Sequence, residues 1–174
     1  MVTPSEGSVF FLTPDIFQVS ETLGIYRNKK GSDYMGEVSV EIILTNSADQ
    51  AMVREGYKKD DEIRTMKVKA LVDTGSVSCV LTPFVADRLG LARVFRHMAQ
   101  YADGRREEVG VTEPVMIEIE GRRTYEECLI LGDEVLIGQT ALEKTDLMVD
   151  CRQKKVFPNP DHPHQPVIKI RFLA

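Results

Sequence analysis

From Gly36 onward the hydrophobic positions fall into strand rhythm. Val38, Val40, Ile42 and Leu44 alternate with Glu37, Ser39, Glu41 and Ile43, the period of two that lays one apolar strand face on a core. A polar interval from Thr45 to about Glu62 follows, with Gly56 and the run Lys58-Lys59-Asp60-Asp61-Glu62; it predicts a long loop with room for one helical turn. Ile63 to Val72 resumes the strand pattern and delivers Asp73 into Thr74-Gly75-Ser76, where the apolar run breaks into turn residues. Val77 to Leu81 then predicts a buried strand returning from that turn.

Thr82-Pro83 supplies an N-cap and a proline at the first helical position, Phe84, Val85 and Leu89 share a helical face, and Gly90 stands at the C-terminal cap. Beyond this short helix, strands are predicted for Val94–Tyr101 and Arg106–Val111, joined by the Asp103-Gly104 signal of a tight hairpin. Charged residues at its tip make the hairpin project into water. Val115–Ile119 and Tyr125–Leu131 form two further strands around a turn at Gly121. Val135-Leu136-Ile137-Gly138 is another apolar strand, and Gln139–Lys144 a short helix with Thr140 as its cap. Leu147–Asp150 and Lys154–Phe157 read as closing strands. The proline-rich Pro158–His164 must be extended, and Val167–Phe172 alternates like a last edge strand. Residues 1–33 read as an N-terminal arm, with a short strand or helical turn at Ile16–Val19, and residues 34–174 as the main domain with a proline-rich extension from about 158. Many short strands and few helices point to an all-β barrel or sandwich.

Composition narrows the function classes. The chain has 174 residues, enough for one well-cored domain, with 22 Lys and Arg against 27 Asp and Glu. The resulting net charge of −5 speaks against a nucleic-acid partner. No apolar run approaches the ~20 residues of a spanning helix, and no basic opening leads into an apolar segment, so neither membrane insertion nor export is expected. Cys79, Cys128 and Cys151 are odd in number and lack a C-x-x-C pair, which predicts reduced thiols in a cytoplasmic protein and neither a disulfide framework nor a zinc site.

The candidate chemistry centres on Asp73. A carboxylate at a strand end, beside a glycine that lets other chain approach, is poorly placed for packing and well placed for a reaction; as a plain alternative, Asp and Ser also initiate ordinary turns. Three features occur in order: the strand ending in Asp73-Thr74-Gly75-Ser76, the Ala102-Asp103-Gly104 hairpin, and the strand Leu136-Ile137-Gly138 leading into a short helix. Over about Gly36 to Arg171 this resembles the retropepsin-like aspartic peptidases, most closely their small single-motif prokaryotic type.

The resemblance implies a mainly β protein, a closed acid-protease-type barrel with one or two short helices. It implies Asp73 as the catalytic carboxylate, Thr74 bracing paired active-site loops, Gly75 allowing close approach, and Ser76 bonding near the carboxylate. Leu136, Ile137 and Gly138 would support the loop from beneath, and Ala102, Asp103 and Gly104 would form a flap over a bound peptide. Peptide hydrolysis by this route takes two carboxylates sharing one proton, the ionised one activating water and the protonated one donating. An isolated Asp titrates near ~3.9 and cannot do both. The chain has one such motif, so the implied enzyme is an aspartic endopeptidase active as a homodimer, without cofactor or metal, acting on a peptide or protein substrate. The alternative is a catalytically silent module of the same fold that binds or regulates.

Other chemistries are weaker. Ser76 or Ser78 lacks a G-x-S-x-G elbow, and His97 is the one histidine outside the tail. His162 and His164 with Asp161 could hold a metal only on an ordered tail. Cys79, on an apolar run, reads as an inert buried thiol.

Overall fold

The computed structural model describes residues 25–26, 37–101 and 103–168. In chain order these form β1 (Ile25–Tyr26), β2 (Val38–Asn46), α1 (Ser47–Arg54), β3 (Thr65–Asp73), β4 (Val80–Leu81), α2 (Pro83–Leu89), β5 (Arg93–Gln100) and β6 (Arg106–Thr112). There follow β7 (Val115–Ile119), β8 (Arg122–Glu126), β9 (Leu129–Ile130), β10 (Leu136–Gly138), α3 (Gln139–Lys144), β11 (Leu147–Asp150) and β12 (Lys155–Pro158). The expected element at Ile16–Val19, the flap residue Ala102 and the part of the expected last strand from Lys169 lie outside the described residues. Val167 and Ile168, its described beginning, are not in a strand.

The alternating strands pair as their pattern requires. β2 lies antiparallel between β3 and β7, with Ile42 opposite Val68 on one side and Ile119 on the other. Val38, Val40, Ile42 and Leu44 point into the core with Val68, Ala70, Ile117, Ile119 and Ile137. Burying each such aliphatic side chain stabilises the fold by about 1.5–3 kcal/mol. The main sheet runs β5-β6-β9-β4-β10-β3-β2-β7-β8, and β1 lies parallel to β3 at Lys67 and Val68.

The sheet is a curled half-barrel, where a closed barrel was expected. β11 and β12 pair with each other, so among the described residues no strand joins β8 back to β5. Mainly β structure with few helices stands as predicted.

The interval between Thr45 and Glu62 departs from the expected loop. Asn46, fully buried, accepts the Asp49 N–H at 2.9 Å and so caps α1. Its amide also donates to the Leu89 carbonyl at 2.9 Å, at the end of α2. One side chain thus ties the start of one helix to the end of another. In α2, Thr82 accepts the Val85 N–H and Gly90 closes the helix at φ 62°, as the sequence predicts. Its buried face is Val85, Ala86 and Leu89, whereas Phe84 is 43% exposed. The expected strand Val77–Leu81 shrinks to Val80–Leu81, and Tyr125–Leu131 divides into the ends of β8 and β9. The proline-rich tail is held at Asp146: its carboxylate accepts from Asn159 Nδ2 at 2.9 Å and the Val167 N–H at 3.2 Å, and meets His162 Nδ1 at 2.8 Å. The Arg122 guanidinium donates to the Thr145, Asp146 and His162 carbonyls in the same cluster. No described helix is long and apolar enough to cross a membrane.

Candidate active site

Asp73 is the last residue of β3, half-buried, at the point where the apolar strand gives way to the turn. Its Oδ1 accepts the Gly75 N–H at 2.9 Å, and its carbonyl accepts the Ser76 N–H at 3.2 Å. The first bond is an Asx turn, which fixes one carboxylate oxygen against its own loop. Thr74 and Gly75 are exposed and Ser76 half-buried. The Ser76 hydroxyl donates to the Ser78 carbonyl at 2.9 Å.

Strand β10 lies between β3 and β4. Leu136, Ile137 and Gly138 run parallel to Leu71, Val72 and Asp73 in direct register, and Leu136 faces Val80 on the other side. The loop from Thr74 to Cys79 therefore crosses the end of β10. A Cβ on Gly138 would sit 2.6 Å from the Ser78 carbonyl oxygen and 2.9 Å from that of Ser76; both are backbone atoms, so glycine alone fits. The loop is then fastened to α3: Gln139 N–H donates to the Ser76 carbonyl at 2.8 Å, and the Thr140 N–H and hydroxyl both reach the Val77 carbonyl, at 3.3 and 2.9 Å. Thr140 is thus a loop fastener. The expected cap position falls to Gly138, which makes no side-chain bond.

Two buried thiols lie where this loop ends. Cys79 Sγ accepts the Gly138 N–H at 3.4 Å, and Cys128 sits beside it, since Val80 and Leu129 are neighbours in register one residue on. The neighbouring Cys79 sulfur and then burial push the Cys128 thiol well above its usual range, so it stays protonated at neutral pH.

The β5–β6 hairpin stands at the far edge of the sheet. Asp103 accepts the Arg105 N–H at 3.0 Å and its Nε at 2.6 Å, which holds the Asp103 carboxyl below its usual range. Gly104 N–H closes the turn on the Tyr101 carbonyl at 2.9 Å. The Tyr101 hydroxyl donates to Glu107, which raises its pKa. These bonds stay within the hairpin.

The structure brings Asp73, Thr74, Gly75 and Ser76 together with Leu136, Ile137 and Gly138. His97 lies exposed on β5, and among the described residues no hydrogen bond joins it to Ser76, Ser78 or Asp73. No group of three His, Cys, Asp or Glu among the described residues is placed to hold a metal ion.

The sequence profile of the family described as "gag-polyprotein putative aspartyl protease" matches residues 60–144, a span from the turn before β3 to the end of α3 that holds Asp73, the hairpin and Gly138. The fold is that of a retropepsin-like aspartic protease. Solved structures similar to the chain include the retroviral protease-like domain of Ddi1 from Leishmania major, at 16% identity over 73% of this chain and 91% of that one, with a TM-score of 0.48. They also include EIAV protease complexed with the inhibitor HBY-793, at 26% identity over 45% of this chain and 76% of that one, with a TM-score of 0.35. No curated protein matches the sequence.

Two contributors to the Asp73 loop are not visible in the sequence. Thr140 bonds a residue 63 positions away and Cys79 one 59 positions away, and no local spacing encodes either pairing.

Proposed function

We propose that the chain is an aspartic endopeptidase whose active centre is an Asp73 pair, one carboxylate from each protomer of a homodimer. The observation that carries this reading is the placement of Asp73: a strand-end carboxylate, one oxygen fixed by the Gly75 N–H, on a loop fastened across Gly138. An ordinary Asx turn accounts for the Gly75 bond but not for the fastening of its loop across Gly138 to α3. Two such carboxylates across a twofold axis share one proton, because both cannot ionise at close range. The ionised member takes a proton from water as it attacks the scissile carbonyl, while the protonated member donates to the carbonyl oxygen. On collapse the proton taken from water passes to the leaving nitrogen, and the second carboxylate recovers its own from a hydroxyl of the intermediate. On this reading Thr74 braces the paired loops and Ala102, Asp103 and Gly104 form the tip that closes on an extended peptide.

Cleavage of a mixed peptide library by the full chain tests the reading. Asp73→Asn and Asp73→Ala lower kcat by about a thousandfold or more while leaving the unfolding transition in place. Sedimentation at the assay concentration shows a dimer. Cleavage that survives Asp73→Ala, or that comes from a strict monomer, overturns the proposal; a folded chain without turnover leaves the binding or regulatory module.

A further inference from the structure

We propose that Cys79 is a positioning residue for the Asp73 loop, acting through its thiol on the Gly138 N–H. The inference rests on the endopeptidase reading of Asp73 and deepens it.

Gly138 pairs with Asp73 across the β3–β10 register, and β4 begins only at Val80, so the chain opposite the Gly138 N–H has already left the ladder. Each carbonyl nearby already accepts a hydrogen bond from another donor. Ser76 C=O takes the Gln139 N–H, Val77 C=O takes both donors of Thr140, Ser78 C=O takes the Ser76 hydroxyl, and Cys79 C=O takes the Leu129 N–H at 3.0 Å. The acceptor that meets Gly138 is the Cys79 sulfur at 3.4 Å. Cys79 is 2% exposed, so water has little access to the bond. A buried backbone N–H without a partner is strongly disfavoured. Loss of the sulfur therefore drives Gly138 to seek another acceptor, and every way of doing so shifts the end of β10. That end carries Gln139 and Thr140, whose bonds hold Ser76 and Val77, and through them the turn that orients Asp73. The thiol is large enough to bridge the gap and serves as a weak acceptor.

Three variants separate positioning from packing. Cys79→Ser keeps an acceptor and loses apolar bulk; Cys79→Val keeps bulk and loses the acceptor; Cys79→Ala loses both. If the thiol positions the loop, kcat falls about tenfold in Val and Ala, stays within about threefold of wild type in Ser, and KM changes little throughout. A packing role gives the reverse order, with Val near wild type and Ser impaired, because a hydroxyl is then buried among apolar groups. That reversed order overturns the proposal.

Hydrogen exchange of the Gly138 and Gln139 amides, measured on the full chain, does not depend on turnover. Exchange about tenfold faster in Cys79→Val than in Cys79→Ser supports the proposal, and equal rates overturn it. A wild type with no Asp73-dependent cleavage defeats the endopeptidase reading, and the exchange result then decides the role of Cys79 alone.

Discussion

Two carboxylates away from the candidate site, Asp49 and Asp146, join segments that are far apart in sequence. The Asp49 side chain is 1% exposed and accepts from Lys58 Nζ at 2.6 Å and from Arg64 Nε, Nη2 and backbone N–H at 2.7, 2.8 and 3.1 Å. The Arg64 guanidinium holds its carboxyl far below the usual range. Asp146, bonded by Asn159 and then His162, is lowered to about 2. For both groups the folded-state pKa is depressed. Their stabilisation is therefore complete above the unfolded value near ~3.9 and drains away as pH falls below it. Asp49→Asn should cost about 2–3 kcal/mol at pH 7, less than a wholly buried pair because Lys58 and Arg64 remain part-exposed. It should also flatten the loss of stability between about pH 5 and pH 2. Urea unfolding of both proteins across that range checks both statements; equal slopes would show that Asp49 does not carry the acid sensitivity. Nothing in the sequence ranks Asp49 above Asp60 or Asp61, because its weight comes from partners brought together by folding.

At the scale of elements, the strand-ending motif and the helix caps were legible because their signals are local. Thr82, Pro83 and Gly90 bracket α2 within nine residues, and the alternation of β2 reads directly as a buried face. Helix α1 runs beyond the single turn expected in this interval, because its buried side chain is the charged Asp49 and its cap, Asn46, also bonds the end of α2. The packing of the loop over β10 was half legible: Gly138 stood out as the end of an apolar run, but the reason for a glycine there is the backbone of Ser76 and Ser78. Gly138→Ala should therefore destabilise the fold by about 2–3 kcal/mol through overpacking and abolish any Asp73-dependent cleavage. Gly110→Ala is the control, since its added methyl would meet only side-chain atoms at 3.4 Å or more. Chemical denaturation of the two variants provides the comparison, and equal midpoints would rule out the steric account.

At the scale of the molecule, the mainly β, retropepsin-like architecture was accessible from the order of a few motifs, whereas closure was not. Whether a sheet closes depends on where its last strands pair, and β11 and β12 pair with each other. The tail was equally opaque, because its course is set by Arg122 and Asp146 and prolines exclude only helix. Each copy brings a single Asp73, so on the dyad reading a wild-type subunit is worth nothing beside a disabled one. Refolding equal amounts of wild-type and Asp73→Asn chains together should leave about a quarter of the cleavage of an all-wild-type dimer population, instead of half. Half would mean that each chain works alone. A quarter would mean that a disabled chain silences the intact copy it pairs with, so its effect exceeds its share of the mixture.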